Sequence, residues 1–395
     1  MVLGLVLAGC GTLEATVGPS ASRPPSALSP GPTQVAQPSA SRPEPTTAAP
    51  SPADLGWELV DLPDAAGVGA ITDVVALPDA VVAVGGGAAA GDLGIAWATS
   101  DRGTTWRSER LPGTARGIGR SIAWGDRVLT LGEGDGDCAH PSVVAIWVRD
   151  AAGAWDAAPF DPLLCAGGIA QAAAKDGHAV IVGTGAGDVG FAWSSDDGLA
   201  WTDRSAVFDG RLPQGVAADG SGFIAFGLGP VPGPAWSARS EDGSAWADPV
   251  PLPGLAEGAV IGQPVVHDGG VAVFVGDPNG AIGILRADGS GGWRSELTSG
   301  LSRDTLARIV PVGDGLVALG GDASGPLAWI SADGVAWRPL TLPAEATAGG
   351  ANAAIDGAAV VDGRAYLVGQ AAADDASGTT PVEALWSGPA ALLQP

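Results

Sequence analysis

The chain has 395 residues and a net charge of −24, with one lysine, Lys175, beside its arginines. That acidity argues against a nucleic-acid partner or an anionic lipid headgroup surface, since both are bound through a basic face that releases counterions. The length suffices for one large all-β domain with accessory segments, and no phosphate-binding loop or dinucleotide fingerprint opens a helix anywhere in it.

Residues 1–10 form a short apolar run ending in Leu7-Ala8-Gly9-Cys10. This resembles a bacterial lipobox, and the resemblance implies lipidation of Cys10 as the first residue of the mature protein. No basic residue precedes the run, which places the expected translation start upstream. The run is too short to span a bilayer. Residues 11–54 follow as a Pro/Ser/Thr-rich segment that cannot assemble a core, so a disordered tether is expected. Together the two segments describe a domain held off the outer face of a bacterial membrane, at the cell surface or in the periplasm.

From residue 55 to 390 strands alternate with Gly-rich turns. One pattern recurs: Thr99-Ser-Asp101-Arg-Gly103-Thr-Thr-Trp106, Ser194-Ser-Asp196-Asp-Gly198-Leu-Ala-Trp201, and looser copies ending Gly243-Ser-Ala-Trp246 and Gly334-Val-Ala-Trp337. Still looser copies end at Trp155 and Trp293, so that the terminal tryptophans are 49, 46, 45, 47 and 44 residues apart. A fixed period of this size means a repeat architecture. In each box the Asp is read as the acceptor of backbone N–H groups in a tight turn, the Gly as the positive-φ position, and the Trp as a core wedge. In the copy at 239–246 Arg239 and Glu241 stand where the pattern has Ser/Thr and Asp; in the copy at 330–337 Ile330 and Ala332 do.

A second signature recurs seven times. A turn with Asp or Asp-Gly, such as Asp176-Gly177 or Asp362-Gly363, precedes a β-branched run ending in Gly, such as Val81 to Gly85, Val180 to Gly183, Leu316 to Gly320 and Tyr366 to Gly369. Seven such hairpins imply seven blades. The third strands carry Trp97, Trp147, Trp193, Trp236, Ile284, Trp329 and Trp386. The seventh copy lacks a fourth strand after Trp386, while Gly56 to Pro63 reads as an orphaned one resembling Ala336 to Pro343. The N-terminal strand is therefore expected to complete the last blade and close the ring. No clear helix is expected.

These boxes resemble the Asp-box, or BNR, repeat of sialidase-like β-propellers, in the turn between third and fourth strands. The resemblance implies a seven-bladed all-β propeller of four-stranded antiparallel blades, and it is weak for function, since such propellers include sialidases, sortilin-type receptors and photosystem assembly factors. In this fold the boxes lie on the scaffold face, so their carboxylates read as structural. Sialidase chemistry needs three clustered arginines, a Tyr paired with Glu and an acid/base Asp at the channel mouth. The single tyrosine, Tyr366, falls in a second strand, and the Arg-Ile-Pro type motif is absent. Arg116, Arg120, Arg211, Arg303 and Arg308 lie near blade connections or inner strands and are candidates for a positive spot. The mouth loops are otherwise mostly Gly, Ala and Pro.

Cys138 and Cys165 fall in neighbouring loops on one face of such a propeller, and in an exported protein a disulfide between them is expected. Glu133, Asp135 and Asp137 alternate in the first of these loops; calcium is conceivable there, but a solvated acidic loop is the better reading. His140 near Cys138 is not expected to hold a metal, and His178 and His267 sit beside scaffold-face turns. No cofactor, metal or catalytic residue is assigned. The expectation is a monomeric, membrane-anchored binding or assembly scaffold with a protein or glycan ligand. The alternative is an extracellular glycan-binding or glycan-cleaving protein.

Overall fold

The computed structural model describes residues 56–65, 68–87, 94–113, 115–134, 143–159, 165, 168–185, 189–208, 210–229, 234–255, 259–287, 292–348, 353–371 and 382–395. Cys10, the tether, Cys138, Asp135, Asp137, His140 and the turn ahead of Trp293 lie outside them. The described chain is a seven-bladed β-propeller, each blade a four-stranded antiparallel sheet.

The first strand in the chain is β1 (Glu58–Leu59), and blade 1 follows as β2 (Val68–Ala76), β3 (Val81–Gly87), β4 (Ile95–Thr99) and β5 (Arg107–Arg110). Blade 2 is β6 (Ala115–Trp124), β7 (Arg127–Gly134), β8 (Val143–Arg149) and β9 (Trp155–Ala157), and blade 3 is β10 (Gly168–Lys175), β11 (His178–Gly185), β12 (Val189–Ser195) and β13 (Thr202–Asp203). Blade 4 is β14 (Leu212–Asp219), β15 (Gly222–Leu228), β16 (Ala235–Ser240) and β17 (Val250–Pro251), and blade 5 is β18 (Val260–His267), β19 (Gly270–Gly276), β20 (Ile282–Ala287) and β21 (Trp293–Leu297). Blade 6 is β22 (Leu306–Val312), β23 (Gly315–Asp322), β24 (Gly325–Ser331) and β25 (Arg338–Pro339). Blade 7 is β26 (Ile355–Val361), β27 (Arg364–Ala371) and β28 (Val382–Pro389), and β1 pairs with β28 to supply its fourth strand. The ring therefore closes as the sequence predicts, with Glu58 opposite Ser387 and Leu59 opposite Trp386.

The hairpin signature has a simple cause. Asp176-Gly177, Asp268-Gly269 and Asp362-Gly363 all take positive φ, as the two-residue turns that suit twisted antiparallel strands require. The terminal glycine of the second strand is needed because the first strand crosses close by: a Cβ at Gly85 would collide with the Ala70 carbonyl, and one at Gly369 with the Ala354 carbonyl. Between blades the faces interlock. Ile71, Val74, Val81, Ala83 and Trp97 of blade 1 pack with Tyr366, Val368 and Leu385 of blade 7 and with Leu62 ahead of the ring. The third-strand tryptophans 97, 147, 193 and 386 are almost fully buried. Each such side chain contributes on the order of 3–5 kcal/mol against truncation.

The boxes are built one residue later than the sequence pattern places them in three of four cases. In blade 1 the expected residues act: Thr99 Oγ1 donates to Asp101 Oδ1 at 2.8 Å and accepts the Gly103 N–H at 3.0 Å. In blade 3 the pair is Ser195 and Asp197, not Ser194 and Asp196. Gly198 N–H donates to Ser195 Oγ at 2.8 Å, while Leu199 and Ala200 N–H both donate to Asp197 Oδ1 at 2.8 Å. Asp196 faces outward to His178 Nδ1 at 2.7 Å, and Ser194 takes the Arg204 Nε–H. Blades 4 and 6 follow the blade 3 form through Ser240 with Asp242 and Ser331 with Asp333, so neither copy lacks its hydroxyl or its carboxylate. The physical reason is that the carboxylate sits directly before the glycine and still reaches the next two N–H groups. Gly103, Gly198, Gly243 and Gly334 have φ between 70° and 81°. Trp201, Trp246 and Trp337 each donate their indole N–H to the carbonyl of the box glycine.

Short helical pieces depart from the all-strand expectation, among them a 3-10 turn at Ser205–Phe208 that buries Phe208. Helix α1 (Ala344–Ala348) sits between blades 6 and 7, with Ala346 buried among the side chains of both. A 3-10 turn at Ala390–Leu393 follows β28 and buries Leu393 in the same cluster, so ordered packing continues past residue 390.

Candidate ligand site at the channel mouth

Each innermost strand carries a β-bulge at the same height. Two residues oppose one on the second strand: Thr72-Asp73 against Val84, Gly119-Arg120 against Leu131, Ala170-Gln171 against Val182, and Gln214-Gly215 against Phe226. The series continues with Gly262-Gln263 against Phe274, Ala307-Arg308 against Leu319, and Asp356-Gly357 against Val368. An apolar residue precedes every bulge: Ile71, Ile118, Ile169, Pro213, Ile261, Leu306 and Ile355. A bulge adds a residue, bends its strand and re-aims a side chain. Here it places Asp73, Arg120, Gln171, Gln263 and Arg308 on the wall of an axial cavity of about 440 Å³, lined further down by Ala123, Ala174, Ala218 and Val266. The ring residues precede these Ala and Val positions on their strands, so the polar ring lies toward the end of the channel where the inner strands begin and blade-to-blade connections run, opposite the boxes.

The described wall of the mouth is thus polar, and its chemistry comes from strand positions and not from the loops. Of the five arginines proposed as a positive spot, the structure brings Arg120 and Arg308 into the channel. Arg303 instead donates to the Asp277 carbonyl at 3.2 Å in the turn before β20, and Arg211 lies in the connection to blade 4.

Asp73 and Arg308 form a forked ion pair, with Nη1–Oδ1 of 3.1 Å and Nη2–Oδ2 of 3.0 Å. Asp73 also accepts the N–H groups of Val74 and Ser121, each at 3.0 Å, and Arg308 donates further to the Asp356 carbonyl at 2.9 Å. A buried pair with its remaining lone pairs and protons satisfied in this way offsets its desolvation cost. Arg120 donates to Gln263 Oε1 and, among the described residues, has no carboxylate within ion-pair distance. Burial, then the nearby Arg308 charge, lower its pKa to about 10 against the opposing pull of Asp73. Gln171 Nε2 donates to the Pro264 carbonyl at 3.1 Å, whereas its Oε1 is buried with no hydrogen-bond partner.

Two further carboxyls stand behind the ring. Burial raises Asp356 to about 6, with Arg308 opposing and Asp73 assisting. Burial raises Glu383 to about 7, against hydrogen bonds from the Ile71 N–H and from Gln370. Gly215 and Gly357 occupy the two remaining bulge positions. A Cβ at Gly215 would collide with the Pro264 ring, and one at Gly357 would sit 3.0 Å from Asp73 Oδ1. These two positions are small because their neighbours' side chains cross in front of them.

Tyr366 is fully buried in β27, edge-on to Trp106 with ring centroids 6.0 Å apart, on the box side of the blade and away from the ring. Burial raises its pKa. Cys165, ahead of blade 3, is not free. Sequence reading missed the ring as a whole; the repeated step from an apolar residue to the second position beyond it was its visible trace.

No protein-family model matches the chain, and no curated protein matches it by sequence. Solved structures do match in shape. The acylaminoacyl peptidase of Pyrococcus horikoshii is 10% identical with a TM-score of 0.52, over 84% of this chain and 54% of that one. The β-propeller domain of the trilobed protease from Pyrococcus furiosus is 12% identical with a TM-score of 0.49, over 81% of this chain and 95% of that one. Trypanosoma rangeli sialidase is 12% identical with a TM-score of 0.40, over 80% of this chain and 53% of that one. The likeness is one of fold. This chain spans about half the length of the peptidase and the sialidase.

Proposed function

We propose that this is an exported, lipid-anchored binding protein of the bacterial envelope whose propeller takes a ligand at the channel mouth without transforming it. The observation that carries the reading is the ring of bulge residues, which converges polar groups from five blades on one apolar-walled cavity. A concave site with a few placed polar groups is the usual form of a small-ligand pocket. The placement of Tyr366 inside the blade core weighs against the glycan-cleaving alternative, because a buried, protonated phenol cannot serve as the mouth nucleophile of a sialidase. Glycan binding without cleavage stays within the reading. Anchoring rests on Leu7 to Cys10 and the Pro/Ser/Thr-rich tether, and a monomeric state on the closed ring.

The test has two arms. Crystals of residues 55–395 soaked with a panel of monosaccharides and small organic acids are expected to show occupancy at the mouth, while fluorogenic glycosides, a sialoside included, are not hydrolysed. Ligands found exclusively on the blade rim, or measurable hydrolysis, overturn the reading. For the anchor, the native precursor is expected to partition into detergent and to take up labelled fatty acid, and Cys10→Ser to do neither; a native protein that takes up no label overturns it.

A further inference from the structure

Two groups in the ring lack a complement, and they occupy equivalent positions on adjacent blades. Arg120 carries a charge whose neighbouring carboxylate among the described residues, Asp73, is already committed to both nitrogens of Arg308 and to two backbone N–H groups. Its hydrogen bond goes to a neutral amide, Gln263 Oε1. Gln171 presents a buried acceptor, Oε1, with no donor. An uncompensated buried cation and an orphaned buried acceptor are each unfavourable, and both are relieved by one molecule that brings an anion and a donor together. A planar guanidinium fits a carboxylate in a fork, so the anion is best supplied as a carboxylate.

We propose that the channel mouth binds a small carboxylic acid with a hydrogen-bond donor on its α-carbon, an α-amido or α-hydroxy acid, its carboxylate on Arg120 and its donor on Gln171 Oε1. This rests on the reading of the mouth as the ligand site. The Ala and Val side chains below the ring leave room for a short apolar substituent, which sets the size of the acid.

Calorimetric titration and thermal unfolding of the full chain test this, with acetate, glycolate, N-acetylglycine and neutral acetamide at matched ionic strength. Glycolate and N-acetylglycine are expected to bind about tenfold more tightly than acetate, the worth of one added hydrogen bond to a buried acceptor, and acetamide not at all. Whichever of glycolate and N-acetylglycine binds more tightly assigns the donor as O–H or N–H. Arg120→Gln should abolish binding of all three acids and leave the ligand-free protein equally or more stable, since it removes an unpaired buried charge. Gln171→Met should retain acetate binding and remove the preference. If Arg120→Gln fails to fold, crystals of the native chain soaked with N-acetylglycine give the answer by the position of its carboxylate. Binding that survives Arg120→Gln, no response to any acid, or a carboxylate located away from Arg120 overturns the proposal. A different ligand occupying the mouth without touching Arg120 would overturn it while leaving the binding reading intact.

Discussion

Glu383 ties the two ends of the ring together: its Oε2 accepts the backbone N–H of Ile71 at 2.9 Å, joining the third strand of blade 7 to the first strand of blade 1. Its other oxygen takes Gln370 Nε2 at 3.1 Å. The Ile71 bond sits one residue before the blade 1 bulge, so the closure seam and the polar ring share a boundary.

That seam makes stability depend on pH in an unusual direction. Burial first of all raises Glu383 to about 7 and Asp356 to about 6, above their values in an unfolded chain of roughly 4.3 and 3.9. The folded state therefore binds these protons more tightly, and their contribution is fully present below the unfolded values and lost as pH rises through about 6 to 7. The box carboxylates act oppositely: hydrogen bonds from Thr105 hold Asp101 at about 2, and those from Ser244 hold Asp242 there too, so their contribution fades only in strong acid. The unfolding midpoint is expected to climb from pH 8 to about pH 5, and Glu383→Gln to flatten that climb. Thermal unfolding across the range checks it; an identical slope in the variant would refute the assignment.

Removing residues 56–63 should cost more than a single core truncation. The segment supplies the fourth strand of blade 7, the Val60 N–H to Leu385 carbonyl bond at 2.8 Å, and the buried Leu62. A loss of at least about 2–5 kcal/mol is expected, with exposure of the β28 edge. Urea unfolding of the truncated chain measures it, and an unchanged midpoint would contradict the closure.

The one-residue shift of the blade 3 box separates two neighbouring aspartates. Asp197→Ala removes the acceptor for two backbone N–H groups and should cost about 1–2 kcal/mol. Asp196→Ala touches an exposed side chain bonded to His178 and should fall within about 0.5 kcal/mol of the parent. Equal effects, or the reverse order, would return the box to its sequence alignment.

Peptide mass mapping of unreduced protein should recover Cys138 and Cys165 in one linked species. Closing the loop between them, 27 positions long, contributes roughly 3–4 kcal/mol by chain entropy, so reduction should lower the melting temperature while the other blades keep their cores. Two free thiols in the map would reject the bridge.

Blade number, strand order and ring closure were legible because each rests on a local signal: an Asp-Gly turn, a glycine forced by a crossing carbonyl, a tryptophan at fixed phase. The channel was not, for a reason the bulges make plain. An extra residue in Gly119-Arg120 or Ala307-Arg308 breaks the two-residue alternation by which inward and outward positions are told apart. Arg120 and Arg308 were singled out by type and rough position, but nothing in the sequence distinguishes them from Arg303, which ends in a turn. The box shift was hidden similarly, since Ser194-Ser195 and Asp196-Asp197 offer two registers that only the backbone resolves.

The sevenfold repetition of the bulge gives the channel a modular character. Each blade contributes one position at one level of the axis, a polar side chain in five blades and a glycine in two, on a backbone detour outside the inter-blade core. Exchange at these seven positions is coupled where side chains meet, Asp73 with Arg308 and Arg120 with Gln263, and the glycines at 215 and 357 must keep clear of Pro264 and Asp73. The apolar blade cores and the channel residues are thus largely distinct sets, and a change of ligand would rewrite a handful of letters, each two places after an apolar residue, with Asp73 and Arg308 changed together because their buried pair also joins two blades.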